Sequence, residues 1–462
     1  MGILAAMAVP HPPIILPEIG KGEEKKIQKT IDAYRTVMQR TAALRPDTIV
    51  LTSPHSVMYA DYFHISSGGK ASGNFGQFRT PEVALETEYD TEFVQELSKL
   101  CQDQGLAAGT LGERSAALDH GTMIPLRFLQ EHSVRPKIVR IGLSGLPARE
   151  HYRLGQLIAQ TAEKLKRRVV FIASGDLSHK LKEDGPYGFA AEGPVFDEQV
   201  TAFLGKGDFL SLLDMDGELC EKASECGLRS FWIMAGALDR HGVESELLSY
   251  EGPFGVGYGI AWLRVCGADE SRNIGEQYRS RQKAELAARK AGEDAFVRLA
   301  RRSLETYVRE HRELPSAPED IPDELRERRA GAFVSLKKDG QLRGCIGTIL
   351  PTRDSLAEEI IRNAVSACAR DPRFSPVEED ELEDLVYSVD VLSEPERIFS
   401  PKDLDVKRYG VIVESGGRRG LLLPDLSGID TVEQQIEIAR QKGNIGPKDE
   451  VQLWRFEVVR HT

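Results

Sequence analysis

No apolar run in this 462-residue chain reaches the roughly 18 residues that a membrane-crossing helix needs. Positive charge is also in deficit. Sixty Lys and Arg face 72 Asp and Glu, a formal charge of −12, so there is no basic footprint for a nucleic-acid partner. Cysteine is scarce, six in all and without framework spacing, which reads as reduced thiols in a cytoplasmic protein rather than a disulfide scaffold. Cys220 and Cys226 are too far apart for a CxxC metal knuckle, and no role is assigned to them. The apolar stretch Ile3 to Leu16 lacks a basic leader and is broken by Pro10, Pro12 and Pro13. It reads as a strand and a loop, not a signal peptide or anchor. There is no internal repeat and no low-complexity tract.

What is present describes a globular protein of two or three domains, with 41% apolar and 29% charged residues. Residues 1–266 alternate β-rich runs (3–9, 48–51, 137–143, 168–173, and a closing run at 257–265) with amphipathic stretches at 24–44, 90–104 and 151–166. That alternation predicts an α/β domain, a mostly parallel central sheet with helices on both faces. From 267 the chain turns polar, a strongly charged helical stretch follows, and residues 267–284 read as a linker. The second unit, 285–462, opens with a helix near 295–308, passes a Pro-rich stretch at 315–323, and continues as short strands with one helix near 354–370. This is a smaller α+β pattern. Lys338-Asp339-Gly340 between two apolar runs signals a hairpin.

Histidine placement carries the functional information. His11 follows Pro10 at the end of one apolar run, and His55 follows Pro54 at the end of another. Proline cannot donate to a strand ladder, so both read as strands that stop at their histidine. The carboxyl ends of strands are where α/β sheets bind ligands. His120, His179 and Glu251 fall in the same kind of position, after strands or in short loops. Two imidazoles and a carboxylate make a facial triad with open metal positions, and unligated histidines nearby can move protons. Taken singly, each also reads as an ordinary loop residue: Asp119 or Asp176 as an N-cap or turn former, Glu251 as a solvated turn carboxylate. His64 lies in a strand-like run, while His132, His151, His241, His311 and His461 sit in polar, surface-like surroundings.

Residues 1–266 resemble the catalytic subunit of class III extradiol ring-cleavage dioxygenases of the protocatechuate 4,5-dioxygenase type, to which Memo proteins are related. The matching segments are Val9-Pro10-His11-Pro12-Pro13, Ser53-Pro54-His55, Leu118-Asp119-His120-Gly121, Gly175-Asp176-Leu177-Ser178-His179 and Glu251. The resemblance implies that His11, His55 and Glu251 ligate Fe(II), that His120 contacts substrate, and that His179 is the acid/base. Zinc or another divalent ion is the alternative metal. It also implies an aromatic diol and dioxygen as substrates.

In the second unit, Leu342-Arg343-Gly344-Cys345-Ile346-Gly347 is the sharpest motif. Cys345 beside Arg343 suggests an activated thiol, but a small buried strand residue is the favoured reading. Arg370-Asp371-Pro372-Arg373-Phe374 reads as a helix-ending turn rather than an anion loop. The 414–420 stretch lacks the Lys-Ser/Thr of a phosphate loop, so a hairpin is expected there. With Asp371-Pro372-Arg373-Phe374, Leu421-Leu422-Leu423-Pro424 and Leu453-Trp454-Arg455-Phe456, this half resembles the AMMECR-type domain, which occurs in prokaryotes with a Memo-like and a radical-SAM protein. The expectation is a non-haem Fe(II) extradiol-type dioxygenase fused to an AMMECR-type domain. The alternative is a Memo-like metal-binding component of a radical-SAM-associated system without ring cleavage, with a radical-SAM protein as partner. A homo-oligomer is expected in either case.

Overall fold

Gly2–Val9, Thr48–Ser53, Lys137–Gly142 and Arg168–Ser174 are buried along nearly their whole length. Strands so uniformly apolar need cover on both faces. In the computed structural model, which describes residues 2–114, 117–426 and 428–462, the strands beginning at Lys137, Thr48, Arg168 and Gly2 lie side by side in that order. All pair in parallel. Two antiparallel strands, Tyr258–Ala268 and then His241–Glu251, complete the six-stranded sheet beyond Gly2–Val9.

Side-chain alternation divides the core in two. Ala5, Met7, Val9, Ile49, Leu51, Val170 and Ile172 pack with the helices Gln28–Leu44 and His120–Leu129. Ala6, Ala8, Val50, Phe171 and Ala173 face the other way, against Thr91–Asp103, Ala148–Lys164 and Leu228–Ala237. The last two helices meet backbone to backbone. A Cβ on Gly155 would fall 2.0 Å from the Ile233 carbonyl oxygen, and one on Gly236 1.9 Å from that of Tyr152. The sequence expectation for this half, a mainly parallel sheet with helices on both faces, describes what is found.

The expected linker is different. Residues 267–284 are largely ordered structure: the strand Tyr258–Ala268 ends there and a helix, Ile274–Gly292, begins. The first compact unit runs through Ser280 and the second starts at Arg281, inside that helix. The strongly charged helical stretch expected here is this helix, held by ion pairs one turn apart, Glu276–Arg279 and Arg281–Glu285.

In the second unit, Gln341–Gly347, Ala332–Lys338, Leu385–Leu392, Gln452–His461, Tyr409–Ser415 and Arg418–Leu422 form an antiparallel sheet in that order. Glu396–Ile398 also pairs with Gln452–His461. The helices Ala295–Glu310 and Leu356–Ala369 cover one face through Leu299, Leu304, Ile360 and Ala364. Both expected hairpins form through two-residue turns with positive φ, Asp339-Gly340 (51° and 76°) and Gly416-Gly417 (54° and 82°), the geometry that matches strand twist.

Candidate metal centre

The parallel strands deliver the site. Gly2–Val9 and Thr48–Ser53 flank Arg168–Ser174, so His11 and His55 leave the same end of the sheet on either side of the strand that ends in Ser174. Pro10 is held by Tyr34, whose hydroxyl donates to its carbonyl at 2.9 Å. The His11 backbone N–H donates to Asp176 Oδ1 at 2.8 Å. The ring Nδ1 of His11 lies 2.9 Å from Ser174 Oγ, which donates its own hydrogen to the Gly121 carbonyl at 2.7 Å. A hydroxyl has one hydrogen. Ser174 must therefore accept from Nδ1–H, and the lone pair of His11 is placed on Nε2, aimed into the site.

His55 Nε2 stands 3.0 Å from that nitrogen, and the two rings meet edge to face with centroids 4.7 Å apart. The Ser53 hydroxyl accepts from the His55 N–H at 3.2 Å and donates to Asp119 Oδ1 at 2.6 Å. Asp119 in turn caps the His120–Leu129 helix by accepting from Thr122 N–H at 2.9 Å. One hydroxyl thus ties His55 to the helix end that carries His120, whose ring lies 3.9 Å from that of His55 and 5.5 Å from that of His11. One nitrogen from each of these three histidines lies within 4.8 Å of the other two.

All three imidazoles are held in the neutral, ligating form. Burial first, then the neighbouring His55, lowers His11 to about 3. Burial, then His55 and His11, lowers His120 to about 3. Burial also lowers His55, opposed by Asp119 and Asp176. The donor set fits a divalent ion of the iron or zinc class, for which neutral imidazole is a preferred ligand. The 3.0 Å between the two Nε2 atoms is hydrogen-bond distance, with a His55 N–H donating to the His11 lone pair, and it brings both nitrogens close enough to hold one ion.

Glu251 is placed elsewhere. Its Oε2 accepts from the backbone N–H of Thr30 at 2.9 Å and from the Thr30 hydroxyl at 2.8 Å, and it is not part of the histidine group. The side chains therefore do not form the expected set of His11, His55 and Glu251; His120 is the third member. His179 donates from Nδ1 to the Ser224 carbonyl, which leaves its Nε2 as the free lone pair. It lies within electrostatic reach of His11, with the Tyr187 ring 5.1 Å away.

Two residues beside the histidines carried no signal in the sequence. Cys226 Sγ lies 3.8 Å from His11 Nε2 and accepts from the Asp176 N–H at 3.3 Å. Burial pushes its thiol well above the usual range. It arrives there because Gly175 and Gly227 touch: a Cβ on Gly175 would lie 2.1 Å from the Gly227 Cα. No spacing rule links residue 226 to residue 11. Asp176, expected as a cap or turn former, instead accepts from His11 as above. The second is Gln77, whose amide nitrogen approaches His120 Nδ1 at 3.4 Å. His151, read as a surface residue, is fully buried against Phe63 and Trp232.

In the second unit Cys345 is a half-buried residue of the edge strand. Ser335 Oγ donates to its Sγ at 3.2 Å. Arg343 turns away to Glu381, at 2.8 Å. Asp371 accepts from the Cys345 N–H at 2.9 Å and Arg373 donates to the Cys345 carbonyl at 3.1 Å. The 370–374 segment is thus a turn that covers a sheet edge.

Residues 5–261 match the family model for the catalytic LigB subunit of aromatic ring-opening dioxygenase, and residues 297–461 match AMMECR1. A relative from Clostridium acetobutylicum, Protein CA_C1420, is 42% identical over 460 residues, covering 98% of each chain. A protein from Thermotoga maritima is 53% identical over 172 residues, 37% of this chain and 98% of its own. Among solved structures, the uncharacterized protein PH0010 from Pyrococcus horikoshii covers 36% of this chain and 88% of its own at 34% identity (TM-score 0.34). The uncharacterized protein JW3007 from Escherichia coli K12 covers 56% and 99% at 18% identity (TM-score 0.37).

Proposed function

We propose, from the premise that this chain belongs to the family of the catalytic LigB subunit of aromatic ring-opening dioxygenase and carries an AMMECR1 domain behind it, that its first unit is an extradiol-type dioxygenase. It would use a divalent ion, iron(II) in the first instance, and cleave a catecholic or related aromatic diol with dioxygen. The observation that carries this reading is the three-histidine group, with the His11 tautomer set by Ser174.

His11, His55 and His120 would hold the ion, which supplies Lewis acidity for the diol oxygens and open positions for diol and dioxygen. Every other contribution comes from the chain. Ser174 keeps the His11 lone pair on Nε2, and Ser53 with Asp119 fixes the relative placement of His55 and His120. His179, with Nδ1–H committed to Ser224, presents Nε2 to accept the diol proton and return it later. Buried Pro10, Pro12 and Tyr34 back the His11 side and exclude water.

One observation favours a second reading. A thiol 3.8 Å from a ligand nitrogen would be exposed to oxidation at a centre that handles dioxygen, and sulfur is a soft metal ligand. This suits a metal-binding component of a radical-SAM-associated system in which no ring is cleaved. The test is metal analysis of protein purified without oxygen, followed by catechol or protocatechuate and air. A ring-fission product that disappears in His179→Ala supports the dioxygenase. Stoichiometric metal with no turnover on any diol supports the second reading. Absence of metal after iron reconstitution, unchanged by His11→Ala, would overturn both.

A further inference from the structure

The cavity that opens beside His55 and His120 has a composition the metal does not explain. It is formed on the hairpin Lys70–Phe75 and Thr80–Glu88, where Ser72 pairs with Glu86 and Asn74 with Ala84. Paired residues share a face, and these four side chains are exposed on one side while Ala71, Phe75 and Leu85 go to the core. The Ala117-Leu118 segment extends this small sheet, with Leu118 N–H donating to the Ser72 carbonyl at 3.0 Å. The resulting cavity has a volume of about 940 Å³. That is the upper end of what a whole drug-sized ligand fills, so a single diol ring at the histidine end leaves most of the cavity to a tail.

Its charge is one-sided. Glu86 and Asp119 are the ionisable groups besides the two histidines, and no Lys or Arg is among the described lining residues. Asp119 is already engaged by Ser53 and Thr122, with Arg140 behind it at 3.9 Å. Glu86 is the carboxylate left facing the cavity. Lys70 touches its Oε1 at 3.2 Å and Glu88 at 3.8 Å, but all these side chains are about 60% exposed. Such a pair contributes little against water, and Lys70 does not line the cavity.

We propose that Glu86 is a specificity-determining residue: the cavity turns away diols with an anionic tail and takes one whose neutral or cationic tail lies along the open face of the hairpin. This rests on the diol reading of the histidine site. An anionic tail would meet Glu86 with no counter-cation among the described lining residues. A polar neutral tail finds Ser72, Asn74 and Gln77 as hydrogen-bonding partners, and a cationic tail finds Glu86.

The test uses three catechols of similar size on the full chain, loaded with Zn(II) and titrated calorimetrically: dopamine, 4-ethylcatechol and homoprotocatechuate. At low ionic strength dopamine should bind at least about fivefold tighter than homoprotocatechuate, with the gap shrinking as salt is added. Glu86→Gln should narrow the gap and Glu86→Lys should reverse it, while 4-ethylcatechol, which reports fold and metal, binds all three proteins alike. Equal binding of all tails, tightest binding of homoprotocatechuate, or an order unmoved in Glu86→Lys would overturn the charge selection and leave the diol reading standing. Failure of all three catechols to bind the loaded protein would overturn both.

Discussion

Glu251 offers the sharpest test, because as a metal ligand and as a structural anchor it predicts opposite outcomes. The helix Gln28–Leu44 starts without a side-chain cap: Ile27 occupies the N-cap position and makes no capping bond. Its third residue, Thr30, is fully buried. A strand 221 positions further along supplies the missing acceptor, with Glu251 Oε2 taking both the N–H and the hydroxyl of Thr30. Hydrogen bonds to a charged group contribute about 1.5–3 kcal/mol each, and a half-buried carboxylate at a helix N-terminus also gains from the macrodipole. The two bonds share one oxygen and do not add fully. Glu251→Ala should therefore cost about 2–3 kcal/mol and Glu251→Gln, which keeps a neutral acceptor, about 1 kcal/mol. For a unit of this size those values correspond to melting temperatures lower by about 5–10 °C and about 2–4 °C. The assay is calorimetric melting of the metal-free protein paired with metal stoichiometry after reconstitution. Both variants should melt earlier and bind metal at the wild-type ratio. Loss of metal in Glu251→Gln, with the metal-free melting temperature unchanged, would show Glu251 to be a ligand and sink the anchor reading.

Other outcomes follow from the same contacts. His11→Ala, His55→Ala and His120→Ala should each abolish stoichiometric metal binding, read by elemental analysis of reconstituted protein. Ser174→Ala removes the group that orients His11 and should weaken metal affinity by about 10–100-fold, measured by chelator competition, with little change in the apo circular dichroism. His11 and His120 titrate near 3 when folded, against an ordinary value of 6.5. The unfolded chain therefore binds more protons between those values, and metal-free stability should be complete above pH 6.5 and fall as pH drops toward 3; denaturant melts at pH 7, 5 and 4 that coincide would refute this. In the second unit, Arg301 lies buried between Glu293 and the Tyr387 ring. Arg301→Ala should cost about 3–5 kcal/mol by stranding a buried carboxylate, seen as earlier unfolding of that unit.

Particular elements show which features could be read without the fold. The parallel strands announced themselves because both faces are buried, which leaves uninterrupted apolar runs such as Ile49-Val50-Leu51. The hairpins at Asp339-Gly340 and Gly416-Gly417 were legible because positive φ selects a short list of residues. Where the first unit ends was not, since the charged helical stretch expected there as a linker carries surface ion pairs on both sides of Ser280. His151 was misread for a related reason: polar neighbours in sequence point outward from a helix while the histidine points inward.

The site divides along the same line. Residue type and strand position determined that His11, His55 and His120 belong near a sheet end, because proline stops a strand and Asp119 starts a helix. The same reading put Glu251 in their company, and family likeness made it a ligand. Only the tertiary structure decided which side chains meet. Glu251 is drawn to an uncapped helix end and Cys226 is carried to His11 by two touching glycines. Both outcomes depend on distances between segments far apart in sequence, and no local pattern encodes such distances.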